Sequence, residues 1–167
     1  MNWYVLHVVT GKEEGIGLRI RGLGMGALIP KRRMRERKNG IWRIRERTLF
    51  PGYVFIYSSM DAAAFHAIKQ VPGILRILGD TYGPQPLKQE EVNHILRLSG
   101  DGTPLEISKV LAEGAGITVL SGPLRGMEGK IIKLDLRRCR AKVNIDLMGE
   151  PRVVELGVEE VLTKSES

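Results

Sequence analysis

Residues 3–9 are an apolar run of aromatic and β-branched side chains, which predicts a first strand. Residues 11–24 set Ile16, Leu18, Ile20 and Leu23 among charges. That spacing predicts a helix, although Gly15, Gly17 and Gly22 would each cost about 0.5–1 kcal/mol inside it. Residues 27–37 alternate, turn at Lys38-Asn39-Gly40 and return through 41–49. Asn-Gly tolerates the positive φ of a type I′ turn, so this stretch predicts a long β-hairpin. It runs into Leu49-Phe50-Pro51-Gly52-Tyr53-Val54-Phe55-Ile56-Tyr57, where Pro-Gly fits the centre of a type II turn before another strand. Tyr53, Phe55 and Tyr57 share one face of that strand, and Val54 and Ile56 share the other. A strand apolar on both faces is either buried on both or buried on one and adhesive on the other.

Asp61 is a good N-cap for a helix over 62–70. Val71-Pro72-Gly73 ends it, 74–78 reads as a strand, and 89–98 forms an amphipathic helix with Val92, Ile95 and Leu96 on one stripe. The order β-α-β-β-β-α-β-α predicts an α+β domain with a mostly antiparallel sheet over 1–98. Residues 99–113 read as a linker. From 114 to 167 the pattern becomes short alternating runs at 117–120, 129–134, 140–147, 151–156 and 158–162, which predict a small five-stranded barrel.

Charge sharpens this division. The formal net charge is +7 and the pI about 9.8, which favours a polyanionic partner. Nine bases lie within 31–47: Lys31, Arg32, Arg33, Arg35, Arg37, Lys38, Arg43, Arg45 and Arg47, against Glu36 and Glu46. Nucleic-acid phosphates would relieve the repulsion among them. Trp42, within this segment, either stacks on a base or packs. A second basic group, Arg125, Lys130, Lys133, Arg137, Arg138, Arg140 and Lys142, faces only Glu128 and Asp135. Residues 101–167 hold no Phe, Trp or Tyr, so this module has no aromatic of its own for base stacking and is expected to read backbone and shape.

Catalytic signals are absent. The three histidines lie far apart, Cys139 is the single cysteine, and no phosphate-binding loop occurs. No enzyme, metal site, cofactor or internal disulfide is expected. No apolar run approaches the ~18 residues of a membrane helix, so a cytoplasmic protein with no membrane contact is expected.

Four stretches in this order carry a resemblance: Trp3-Tyr4-Val5-Leu6, Leu49-Phe50-Pro51-Gly52-Tyr53-Val54-Phe55-Ile56, Val71-Pro72-Gly73-Ile74, and Gly116-Ile117-Thr118-Val119 followed by Gly122-Pro123-Leu124-Arg125-Gly126-Met127-Glu128-Gly129. Over essentially its whole length the chain resembles the NusG family of transcription elongation factors. The resemblance implies an NGN domain at 1–98 and an SH3-like KOW barrel at 114–167. It also implies a non-enzymatic monomer that docks on the clamp helices of RNA polymerase through His7, Phe50, Tyr53 and Phe55. The hairpin would approach upstream or non-template DNA. Within the family the chain is most similar to the LoaP type of antiterminator, which implies that the KOW domain engages a hairpin of nascent RNA. The competing reading is a general RNA-binding or ribosome-associated KOW protein that does not act on polymerase.

Overall fold

The computed structural model describes residues 1–99, 101–114 and 116–162. In chain order its elements are β1 (Asn2–Val8), α1 (Glu13–Gly22), β2 (Gly26–Leu28), β3 (Lys31–Lys38), β4 (Ile41–Thr48), β5 (Tyr53–Ser58), α2 (Ala62–Lys69) and β6 (Ile74–Ile77). Then come β7 (Gly79–Asp80), β8 (Gly83–Pro84), α3 (Gln89–Ser99), β9 (Ser108–Glu113), β10 (Gly116–Ser121), β11 (Ile131–Asp135), β12 (Arg140–Leu147) and β13 (Glu150–Val161). A single 3-10 turn, Glu128–Lys130, precedes β11. The chain divides into two compact units, 1–30 with 50–102 and 31–49 with 103–167. Of the expected linker and C-terminal module, Gly100, Ala115 and residues 163–167 lie outside the described residues.

In the first unit an antiparallel sheet runs in the order β2-β5-β1-β6. Tyr4, Leu6 and Val8 of β1 and Val54 and Ile56 of β5 point to one face, and pack with Ile16 and Ile20 of α1 and Ile68 of α2. The glycine-rich α1 forms because its two core positions fall one turn apart, and because Gly17 admits Ile29, whose Cδ1 would lie 2.5 Å from an added Cβ. Asp61 caps α2 as expected, its carboxylate accepting the Ala64 N–H at 2.8 Å. On α3 the buried positions are Val92, Ile95 and Leu98, while Leu96 is exposed. The helix is rolled relative to the stripe that spacing alone suggests.

The alternation over 27–37 is two strands, not one. Pro30 has no N–H to donate and restrains Ile29, so β2 ends at Leu28 and pairs with β5, while β3 begins a separate ribbon with β4. Asn39 and Gly40 adopt φ of 53° and 78°, the positive values a type I′ turn needs.

The second unit carries a five-stranded sheet in the order β10-β9-β13-β12-β11, antiparallel except for β9 with β13. Strand β9 falls within the segment read from sequence as linker; Val110 and Leu111 are buried and Ser108 is fully enclosed. The runs read as two strands at 151–156 and 158–162 are one strand, β13. Its first part pairs with β12 through Gly157, and its last part, from Val158, with β9. Ala141, Val143, Ile145 and Leu147 of β12 alternate inward with Val154, Leu156 and Val158 of β13. Among the described residues no helix is long and apolar enough to cross a membrane, and no cluster of His, Cys, Asp or Glu could hold a metal.

One buried carboxylate ties the first unit together. Glu13 is 4% exposed; its two oxygens accept the Gly11 N–H at 2.7 Å and the Gly52 N–H at 2.8 Å. It thereby fixes the Pro51-Gly52 turn to the start of α1. Glu13→Ala is expected to lower the unfolding free energy of the first unit by about 2–4 kcal/mol, since bonds to a charged group contribute about 1.5–3 kcal/mol each and are not additive. Glu13→Gln should lose less. Denaturant titration of both variants checks this; an unchanged midpoint for Glu13→Ala would contradict it.

Candidate functional site

The residues expected to meet a partner lie on the sheet face opposite α1. Trp3, Val5 and His7 of β1 stand across from Tyr57, Phe55 and Tyr53 of β5. The His7 and Tyr53 rings stack at 5.2 Å, Trp3 and Tyr57 lie 5.3 Å apart, and Phe50 meets Phe55 edge-on at 5.5 Å. This ladder is buried in the middle and open at its ends. Phe55 is fully buried and Phe50 nearly so, while His7 and Tyr53 are half-buried. Phe50 and Phe55 are therefore not presented at the surface in this structure, as the sequence reading supposes. Two large rings on either side of a tight turn remove more apolar area from water by packing on each other than by facing it.

The basic hairpin is placed by the second unit. The Arg33 N–H donates to the Leu105 carbonyl and the Leu105 N–H to the Lys31 carbonyl, both at 2.8 Å. Met34 is 1% exposed, worth about 1.5–3 kcal/mol of burial. The backbone of β3 lies on β13 at Gly157, where an added Cβ would meet the Arg33 carbonyl oxygen at 2.5 Å and Met34 Cα at 3.4 Å. Glu155 and Glu159 flank that glycine on the same face of β13; Glu159 accepts from Arg35 at 3.0 Å and Glu155 from Arg140 at 2.9 Å. Arg33 pairs with Glu106 at 2.6 Å. Partly exposed ion pairs contribute only about 0–1 kcal/mol, so Met34 and the backbone contacts hold the hairpin, and the pairs orient it.

This arrangement sorts the nine hairpin bases. Arg33 and Arg35 are committed to glutamates of the same unit. Arg32 donates to the Leu49 carbonyl at 3.2 Å, and burial, together with the nearby charges of Arg140 and Arg47, holds its guanidinium below the usual arginine range. Arg47 clasps Glu36 with two hydrogen bonds of 2.6 and 2.8 Å; these hold the Glu36 carboxyl below its usual value and raise Arg47. Lys31 also has a partner. Arg37, Lys38, Arg43 and Arg45 remain without an ion pair among the described residues; the first three lie in the outer half of the ribbon, and Arg45 stands opposite Met34.

Two recesses collect the free charge. One of about 400 Å³ lies on the hairpin alone, lined by Glu36, Arg37, Lys38, Arg43, Arg45 and Arg47. The other, of about 470 Å³, joins Arg35, Glu36, Arg37 and Trp42 of the hairpin to Arg137, Arg138 and Arg140 at the turn between β11 and β12. Beside it Lys133, Arg138, Arg140 and Lys142 border a smaller hollow of about 100 Å³ that also contains Asp135 and Glu155. Arg125 and Lys130 are exposed but line none of these. Burial pushes the Cys139 thiol up, leaving it protonated and a poor nucleophile at neutral pH.

The comparisons agree with this architecture. The family model described as "Transcription termination factor nusG" matches residues 1–96. The Transcription termination/antitermination protein NusG of Thermus thermophilus is 30% identical over 97% of this chain and 98% of that protein. The chain belongs to the NusG family. The Escherichia coli K12 protein of the same name is 28% identical, covering 95% of this chain and 94% of its own. A solved structure described as "Domain interaction in Thermotoga maritima NusG" superposes with a TM-score of 0.59 at 27% identity, covering 93% of each chain. The NusG relatives are transcription termination/antitermination factors and not enzymes, and the α+β fold with a C-terminal β domain is the family's.

Two residues that matter here carry little signal in sequence. Glu13 lies in Thr10-Gly11-Lys12-Glu13, a capping-box spelling, yet its carboxylate reaches the Gly52 N–H instead of closing that box. Gly157 lies between two glutamates in Glu155-Leu156-Gly157-Val158-Glu159, an alternation that puts all three on the hairpin side.

Gly157→Val should drive the hairpin off β13, lowering the unfolding free energy of this unit by about 1–3 kcal/mol. With Trp3→Phe as background, Trp42 emission should also shift to the red. An unchanged midpoint and spectrum would contradict the close contact. Because the folded Glu36 pKa is depressed, its contribution is present above the ordinary glutamate value and is lost as pH falls through the folded one. Acidification below about pH 4 should free Arg47 before the sheet unfolds, as amide shifts of β3 and β4 would report; a hairpin unchanged until global unfolding would contradict this.

Proposed function

We propose that this chain is a transcription elongation and antitermination factor that binds the clamp helices of RNA polymerase through its NGN domain. It suppresses pausing and termination, and its C-terminal KOW domain contacts structured nascent RNA. The observation that carries the polymerase contact is the half-buried His7–Tyr53 stack, standing at one of the two open ends of an aromatic ladder whose middle is buried. A rigid, partly desolvated aromatic pair is the kind of surface on which interface energy concentrates. Phe55 continues that face of β5 beside Tyr53 and packs edge-on with Phe50, and Glu13 holds the turn that precedes Tyr53.

The hairpin bases Arg37, Lys38, Arg43 and Arg45, without an ion pair among the described residues, support contact with upstream or non-template DNA, where charge positions the backbone without reading bases. The basic run Arg137–Lys142 at the mouth of the larger recess supports the LoaP-type reading, in which the KOW domain holds an RNA hairpin. The protein would act as a monomer, needing no cofactor.

His7→Ala with Tyr53→Ala should weaken co-purification with RNA polymerase by at least about 30-fold and abolish read-through of a strong terminator in single-round transcription. Both side chains are half-exposed, so the melting temperature should stay close to wild type. Retained polymerase binding by a folded double variant would overturn the polymerase reading and favour a KOW protein acting on RNA alone.

A further inference from the structure

We propose that the recess where the hairpin meets the β11–β12 turn holds one unstacked nucleotide of a structured RNA, its base against Trp42 and its phosphates on Arg37 and Arg137. This deepens, and rests on, the reading of the C-terminal module as an RNA-binding domain.

Residues 101–167 contain no aromatic side chain, so the module by itself offers no platform for a base. The hairpin supplies one. Trp42 is 38% exposed within the recess and carries the Arg35 guanidinium 5.7 Å from its ring centroid. Glu159 fixes Arg35 from behind at 3.0 Å, so the cation and the indole form a preset, partly apolar wall. Proteins that read RNA sequence take splayed bases onto just such aromatic and guanidinium planes.

The charges divide accordingly. Arg35 and Arg140 are neutralised by Glu159 and Glu155, whereas Arg37 of the hairpin and Arg137 of the β11–β12 turn line the same recess and make no ion pair among the described residues. The volume of about 470 Å³ lies within the range of about 300–1,000 Å³ typical of small-molecule sites, which admits a nucleotide and excludes a paired stem. The RNA must therefore offer an unpaired nucleotide, from a bulge or a loop, next to the helix whose backbone the surrounding bases hold.

The test uses the full chain with Trp3→Phe, leaving Trp42 as the single tryptophan. It is titrated with a stem-loop RNA carrying one bulged nucleotide, the same stem fully paired with its loop closed by a short linker, and duplex DNA. The bulged RNA is expected to quench Trp42 and to bind about 5- to 150-fold more tightly than the paired stem, the range for one base stacked on an aromatic. Trp42→Ala should remove that advantage and Trp42→Phe should keep most of it. Arg37→Ala and Arg137→Ala should each weaken the bulged RNA and together weaken it by less than the product, because both act on one nucleotide. Equal binding of bulged and paired RNA without quenching would overturn the proposal. If the paired stem still binds and only Arg137→Ala matters, the RNA-binding reading stands and the composite recess falls. If no RNA binds, both fall.

Discussion

The second unit depends on the absence of a side chain at Gly157. With any Cβ there, β3 could not lie on β13, because the Arg33 carbonyl would sit inside van der Waals contact. With glycine, the arm settles close enough for the reciprocal bonds between β3 and Leu105, for the burial of Met34, and for Glu159 to reach Arg35. The same position divides β13 between β12 and β9. One residue thus serves both the change of pairing partner along β13 and the seat of the hairpin.

From that contact follows a separation of duties among like charges. A ribbon with nine bases would repel itself in isolation. Here the inner bases are absorbed by Glu106, Glu159 and the Leu49 carbonyl, and the Arg47–Glu36 clasp stiffens the ribbon. Arg37, Lys38, Arg43 and Arg45 are left without an ion pair among the described residues. Glu159 of β13 and Glu106 before β9 are the acids that orient the hairpin through Arg35 and Arg33. The first unit uses a related device: the charge of Glu13 is spent on two backbone donors, and the result is a fixed turn under the His7–Tyr53 stack.

The elements themselves were largely legible. Asn39-Gly40, Asp61 and the 3.6-residue spacing of Val92 and Ile95 are local signals, and the local structure obeys them. The faces of the aromatic strand were half legible: periodicity separates Val54 and Ile56 from Tyr53 and Phe55, but whether the second face meets solvent depends on what packs there, which spacing does not encode. The single run read over 27–37 concealed the effect of Pro30, and 99–113 concealed β9, whose pairing with β13 is long-range. Two clusters of bases stand out in the sequence. That members of both line one recess was not legible, because it depends on the contact of β3 with Gly157, more than a hundred positions apart in sequence.

The central claim is that the hairpin is a seated part of the C-terminal unit and not a free arm. Amide hydrogen exchange on the full chain tests it most directly, at the two N–H groups that bridge β3 and the segment before β9. The Arg33 and Leu105 amides should show opening free energies within about 1 kcal/mol of Val143 in the sheet. Exchange of both as fast as Gly40 at the hairpin tip would contradict it.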